Sequence, residues 1–469
     1  MRANLSFFVV GAILAAACGG GTNTSPSGES APQNDGGTEK ETGAPQPEAG
    51  GATDGGSSDA QPDAGDHGQP SSNYPAFKPD FAVLQNNGGP IMKNPVVVAI
   101  TWSSDPSEAS FQSFADNLGA TNYWKAAVGE YGVGPVVSGA MNHISMTTAA
   151  PASLADSDLQ SMVTTNAGKT AGWPAPTADT IYAFFLPPGT LLQMQGGGGG
   201  GGADAGTDAC SQGVGGYHSE IAVGSVNAEY AVVPSCTFGP GNTAAQQSTM
   251  SMSHEIAESA TDPLTNSNPG YIGFDQDHFG FDWFLEFQDE NGDACEAYKD
   301  SFFEDKETTP PFDFWVQRTW SNKQGPLGHD PCQPGDEPYF NVAILNMQEV
   351  TITLPPELTG MSTSQNIQVK GVHIPVGQSA TVDVGFYSDA PTSGPWTLSW
   401  GQGSPFNPTP ATYLGAKIDY TTGLNGQVAH VTVTPNTMGK LNAELLWFKS
   451  TLNGVSHIMP LVVSSYESD

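Results

Sequence analysis

Positive charge is what this 469-residue chain has least of: 14 Lys and Arg stand against 48 Asp and Glu, a formal charge of −34. Such a surface repels nucleic acid and anionic lipid, so neither is expected as a partner. Cysteine is scarce too. Five are present and none forms a Cys-x-x-Cys pair, which argues against a zinc ribbon or a thioredoxin-like site. No Gly-x-Ser-x-Gly elbow stands between a strand and a helix, so the α/β-hydrolase nucleophile is missing. The glycine run at 196–202 lacks the lysine and the following helix that a phosphate loop needs. Residues 196–208 therefore read as a flexible surface insertion. Long apolar runs are absent as well: the stretch over 5–14 is too short to span a bilayer.

That stretch has another use. Arg2, the apolar run and Ala15-Ala16-Ala17-Cys18 make a secretory signal. It resembles a bacterial lipoprotein signal over residues 1–18, which implies cleavage before Cys18 and lipid on its sulfur. Residues 19–73 hold almost no large apolar side chain and read as a disordered tether rich in Gly, Ser, Pro and Asp. The expected address is exported: lipid-anchored to the bacterial outer membrane or cell surface, or secreted, with membrane contact only through Cys18. Four cysteines remain, Cys210, Cys236, Cys295 and Cys332. An even number in an exported chain suggests two disulfides. Three pairings are possible, and spacing favours Cys210–Cys236 with Cys295–Cys332.

From about residue 74 the chain patterns as an ordered domain. Residues 94–102 form a β-branched, buried-strand signal, 107–118 and 123–131 read as helices, and 180–186 as a second central strand. Strand, helix, helix, strand indicates an α/β or α+β domain over 74–338. Residues 275–300 read as an acidic, aromatic loop region. From 339 to 469 the texture changes to eight short strands without helices, starting near 349, 366, 380, 396, 416, 428, 443 and 458. That pattern suggests an all-β, Ig-like sandwich.

The chemistry concentrates in a helix expected over 243–260. Ala245, Thr249, Met252, Ile256 and Ala260 recur at three and four residues, so one face should pack inward. Pro263 stops it. His254 and Glu258 lie one turn apart on one face, with Glu255 beside them. This is the zincin arrangement, two ligands and a general-base glutamate, with Glu258 in place of the second histidine. Zinc accepts carboxylate oxygens, so His254 and Glu258 qualify as ligands and Glu255 as the base. The third ligand is open among Glu290, Asp293 and His218. Asp289-x-Asn291-x-Asp293 has a faint calcium-loop character, but Ala294 stands where that loop needs glycine. His143, His278, His329, His373, His430 and His457 are scattered and read as surface or core singletons.

Several motifs in one order resemble a known group. Gly-Tyr-His218, Tyr230-Ala-Val-Val-Pro-x-Cys236, His254-Glu-x-x-Glu258-x-x-Thr-Asp-Pro263, Glu290-x-Gly-Asp293-x-Cys295 and Val316-Gln-x-x-Trp320-Ser-Asn322 are similar to secreted bacterial proteins distantly related to the plant exordium, or phosphate-induced, family. The likeness covers residues 94–332. It implies that His254, Glu255, Glu258, Asp262, Glu290 and Asp293 belong to one site, with Trp320 in support. The chain departs from the group's pattern at Asn291 and in a longer, more acidic 269–287 segment.

The expectation is therefore a zincin-like, zinc-dependent peptidase at the cell surface, acting on peptide or cell-wall-derived substrates. The alternative is a non-catalytic surface protein that binds wall polysaccharide or a protein partner and uses the motif helix structurally.

Overall fold

The computed structural model describes residues 67–193, 208–238, 241–286, 290–335, 338–359, 362–404 and 412–466. The signal with Cys18, most of the tether and most of the 196–208 insertion lie outside the described residues.

A five-stranded sheet organises the first half. Its strands are β1 (Val96–Trp102), β2 (His143–Met146), β3 (Thr180–Phe185), β4 (Tyr217–Val223) and β5 (Val226–Val233), in the order β2-β1-β3-β5-β4. β2, β1, β3 and β5 are parallel, while β4 folds back antiparallel as the edge. The β4–β5 turn is two residues long, and Gly224 takes the positive φ (+66°) such a turn requires. Parallel sheets are covered on both faces, and the alternation along β1 and β3 shows it. Val97, Ala99, Ile181, Ala183 and Phe185 join Phe111, Phe114 and Ile256 on one side. Val98, Ile100, Tyr182 and Phe184 join Leu159 and Val163 on the other.

Helices α1 (Glu108–Leu118) and α2 (Asn122–Val128) lie on the first face, and α3 (Asp156–Asn166) on the second. The motif helix, α4 (Ala244–Thr261), also packs on the first. Thr243 and Gln246 form a reciprocal capping box at its start. Asp262 ends it at φ −142°, ψ 63°, outside the helical region that a following proline disfavours. The expected one-sided burial is corrected: every residue from Gln247 to Thr261 is buried. A hairpin of β6 (Phe302–Thr308) and β7 (Pro311–Gln317) packs along another flank, and the Gln317 N–H donates to Ser253 Oγ at 3.0 Å. The periodicity of α4 identifies only the side that meets apolar neighbours.

The 275–300 region is more ordered than the loop expected. It holds α5 (Phe279–Phe284) and α6 (Asp293–Glu296). Both are too short to show a helical period. Phe279, Phe281 and Phe284 are buried, and Gly280 sits close enough that a Cβ there would lie 3.3 Å from Val462.

The second half is a two-sheet sandwich. One sheet runs Phe340–Ile344, Ala380–Ser388, Val428–Pro435, Leu414–Ile418. The other has six strands, with Val455–Ser464 and Ala443–Leu452 at its centre. Its inner residues, among them Val384, Phe386, Trp396, Val431 and Leu461, belong to the same apolar cluster as Phe114 and Ile256. The core is thus continuous across the boundary expected at 338/339. Strands take 37% of the described residues and helices 21%, so the described part is richer in β than in helix.

Ordered chain also starts before residue 74. The Val428 N–H donates to the His67 carbonyl (2.9 Å), and Asn425 Nδ2 donates to the carbonyls of Ser71 (3.0 Å) and Asn73 (2.8 Å). These contacts are polar, so composition did not reveal them. The disulfides are Cys210–Cys236 and Cys295–Cys332, as spacing favoured. They fit an exported, oxidising address. No helix among the described residues is long and apolar enough to cross a membrane.

Candidate metal centre

Four segments meet at the polar side of α4. The helix brings His254, Glu255 and Glu258, edge strand β4 brings His218, β5 brings Glu229, and the turn into α6 brings Glu290 and Asp293. The Cys295–Cys332 bond and Trp320 hold that turn. The Trp320 N–H donates to the Asn291 carbonyl at 2.6 Å, while the indole packs among Phe81, Phe274 and Phe281. Trp320 supports the site from behind.

Glu258 is the hub. Its Oε1 accepts the N–H groups of Gly292 (3.1 Å) and Asp293 (3.0 Å). Its Oε2 lies 2.9 Å from His254 Nε2 and 3.6 Å from His218 Nε2. Asp293 Oδ1 is 3.5 Å from His254 Nε2, and Glu290 Oε2 is 3.3 Å from His218 Nε2. Two donor groups result, His254–Glu258–Asp293 and His218–Glu258–Glu290, each with ligand atoms within 4.8 Å of one another. Ligands about 2.0–2.2 Å from one tetrahedral zinc lie roughly 3.3–3.6 Å apart, so the spacing suits a cation. Each of the three open candidates, Glu290, Asp293 and His218, joins a group containing Glu258.

Glycine makes the closeness possible. A Cβ on Gly292 would fall 2.6 Å from His254 Nδ1 and 2.8 Å from Glu258 Oε1. A Cβ on Gly216 would fall 2.6 Å from Glu255 Oε1. The glycines of Gly-Tyr-His and Glu-x-Gly-Asp therefore leave room for the carboxylates and the imidazole.

The pocket is short of positive charge. Glu229, Glu255, Glu258, Asp262, Glu290 and Asp293 are all buried. Among the described residues no Lys or Arg pairs with any of them, and Arg318 turns to Asp300 and Asp330. Burial pushes Glu255 and Glu229 up to about 8 and lifts Asp293 well above the carboxylate range. Burial would lower the His254 pKa, but the charge of Glu258 outweighs it and raises the imidazole's pKa; Glu258 is held down in return. His218 is raised in the same way by Glu290. Several buried polar atoms have no hydrogen-bond partner: His254 Nδ1 and Nε2, His218 Nδ1, Glu255 Oε1, Glu290 Oε1 and Asp293 Oδ1. The 2.9 Å approach of His254 Nε2 to Glu258 lacks hydrogen-bond geometry. Native proteins seldom orphan so many groups at one place, and a divalent cation in either donor group would take up one atom each from a histidine and two carboxylates and offset part of the excess acid. The residues fit a metal.

Asp262 is nearby but does another job. Its Oδ1 accepts the Gly270 N–H and fixes the chain leaving α4, and burial raises it to about 7. Asp293 faces His254 from the start of α6, while Asp289 lies outside the described residues. Sequence reading missed Glu229, whose Oε2 lies behind the ring, 3.5 Å from His218 Nδ1 and at ion-pair distance. A glutamate in the mostly apolar strand β5 (Val226–Val233) is a weak signal that does not name its partner. It also missed Gln317, whose Nε2 donates to the Gly292 carbonyl at 2.9 Å.

No family model and no curated protein matches the chain. Among solved structures it is similar to a titin M3 domain, with 16% identity over 21% of this chain and 88% of that one, TM-score 0.15. It is also similar to domains 4 and 5 of the S-layer protein SbsC, with 12% identity over 35% of this chain and 99% of that one, TM-score 0.15. At these scores the likeness carries no argument about function.

Proposed function

We propose that the chain is an exported zinc-dependent hydrolase of the HExxE type, with a zincin-like first half, acting on peptide bonds. The observation that supports it most is the convergence of His254, His218, Glu290 and Asp293 on Glu258, in a buried pocket where no Lys or Arg among the described residues pairs with them. Bound zinc supplies Lewis acidity that polarises a carbonyl and acidifies water. Glu255 would take the proton of the attacking water. Its high pKa reflects burial, and a nearby dication would favour its ionised form. Glu258 keeps its position through the Gly292 and Asp293 N–H groups, and Glu229 steadies His218. The residual exposure of the donor set lies on His218 (9%), Asp293 (7%) and Glu290 (6%), so substrate approaches from that side. Lipid on Cys18 would hold the enzyme at the cell surface.

A second reading has its own support. No donor is more than 9% exposed, and closed sites with a full set of protein ligands are a mark of structural zinc. On that reading the chain is a surface binding protein. Elemental analysis and hydrolysis of a denatured-protein substrate separate the two. We expect stoichiometric zinc in both wild type and Glu255→Gln, with hydrolysis lost only in the variant. Hydrolysis retained by Glu255→Gln rules out the enzymatic assignment, and zinc without hydrolysis in the wild type supports the second reading.

A further inference from the structure

The sandwich carries a second group of metal-ligating side chains, unconnected with α4. His67, Asp419 and His430 offer ligand atoms within 4.8 Å of one another. They come from three separate places: the segment before the first sheet, the end of strand Leu414–Ile418 and the strand Val428–Pro435. We propose that this group is a divalent-cation site of the His2Asp type, taking zinc or a similar transition metal, and that it staples residue 67 to the sandwich.

The placement of the rings carries the argument. His67 Nδ1 is 3.0 Å from the Val428 carbonyl, so it is the protonated nitrogen and Nε2 keeps its lone pair. His430 Nδ1 is 2.7 Å from Asp383 Oδ1, which fixes its tautomer in the same sense. A carbonyl or carboxylate behind each imidazole is the usual outer support of a metal-ligating histidine. The two imidazole rings are tilted by 34° with centroids 5.9 Å apart, and His67 stacks on Tyr420 at 4.3 Å. Asp419 Oδ1 is held by the His430 N–H at 2.8 Å, leaving its second oxygen for the ion. Two imidazoles and one carboxylate suit zinc, with one position open to water. The staple would hold the chain at residue 67 against the strand Val428–Pro435.

The test is a zinc titration of the mature full-length chain after dialysis against metal-free buffer, beside His67→Gln, His430→Gln and Asp383→Asn. The wild type should bind one equivalent more than His67→Gln or His430→Gln, and Asp383→Asn should bind that equivalent about 10–100-fold more weakly. Limited proteolysis supplies a readout independent of stoichiometry: zinc should slow cleavage near residue 67 in the wild type and leave His67→Gln unprotected. Equal stoichiometry in all four proteins, or zinc-independent cleavage, overturns the staple. His254→Ala separates this site from the α4 centre, since it should retain the sandwich equivalent.

Discussion

The pocket beside α4 and the interior of the sandwich are equally buried and are built in opposite ways. The sandwich places Val384, Phe386, Trp396 and Val431 against one another, so burial itself is favourable there. The α4 pocket buries six carboxyls and two imidazoles, where burial is costly unless each charge is paired. The first arrangement stabilises the chain without any ligand. The second is expensive by itself and would be relieved by a bound cation. A protein keeps such a pocket for what the charges do, which is why the functional reading rests there.

The sharpest way to break the comparison is one large substitution in each region. Glu258→Ala removes the hub and leaves two backbone N–H groups and two imidazoles without their partner. Breaking a buried charge pair in this way costs about 3–5 kcal/mol. Phe386→Ala empties a fully buried ring position between Trp396 and Tyr420, and such truncations also cost about 3–5 kcal/mol. Urea denaturation should show similar losses, but elemental analysis should find α4-bound zinc missing only from Glu258→Ala. Loss of that zinc from Phe386→Ala would mean that the pocket depends on the sandwich more than its own contacts imply.

A smaller probe acts by crowding. In Gly292→Ala the new methyl would lie 2.6 Å from His254 Nδ1, so the turn must shift. Overpacking costs about 1–3 kcal/mol, and zinc affinity should fall at least tenfold because the Gly292 N–H holds Glu258. Gly280→Ala is the matched change against the sandwich. Its methyl would meet Val462 at 3.3 Å, a smaller intrusion onto a side chain that can yield, so it should be nearly neutral in stability and in zinc content. A zinc titration of both variants checks the contrast.

These contrasts also explain what could be read in advance. The Val-rich stretch before Trp102 and the helix from Thr243 to Pro263 announce themselves because local chemistry dictates them: β-branching, a capping pair and a proline stop. His254, Glu258, Glu290 and Asp293 could be chosen because their spacing and the following Cys295 mark them. Glu229 could not, because its partner His218 is reached only through the pairing of β4 with β5. The β6–β7 cover over α4 was hidden by Glu304, Asp305, Lys306 and Glu307, which interrupt the apolar alternation. The reading of His278 and His430 as singletons fails for the same reason. His278 meets Asp80 and Asp275, and His430 meets Asp383, across 198 and 47 residues in the longest cases. Local sequence records the Asp275 contact of His278 at most, not those with Asp80 or between His430 and Asp383.

The smallest effect lies on the seam between the two regions. His278 Nδ1 is 2.7 Å from Asp275 Oδ1, its Nε2 is 3.1 Å from Asp80 Oδ1, and Lys370 of the sandwich also reaches Asp80. Burial would lower the His278 pKa, but the hydrogen bonds to Asp275 and Asp80 raise it to about 9. Hydrogen bonding to His278 holds Asp80 well below the carboxylate range, and Asp275 is lowered against its own burial. The signs follow from linkage. The histidine's folded pKa is raised, so its contribution is complete below about 6.5 and disappears as the pH climbs through about 9. The aspartates are depressed, so theirs is present above about 4 and fades as the pH falls. Asp80 is 42% exposed, and solvent screening leaves the network about 1 kcal/mol. Wild type and His278→Gln should therefore differ by about that much in urea denaturation at pH 6 and converge by about pH 10. A difference that persists unchanged at high pH would show that His278 holds the seam by shape, as the sandwich core does, and not by charge, as the α4 pocket does.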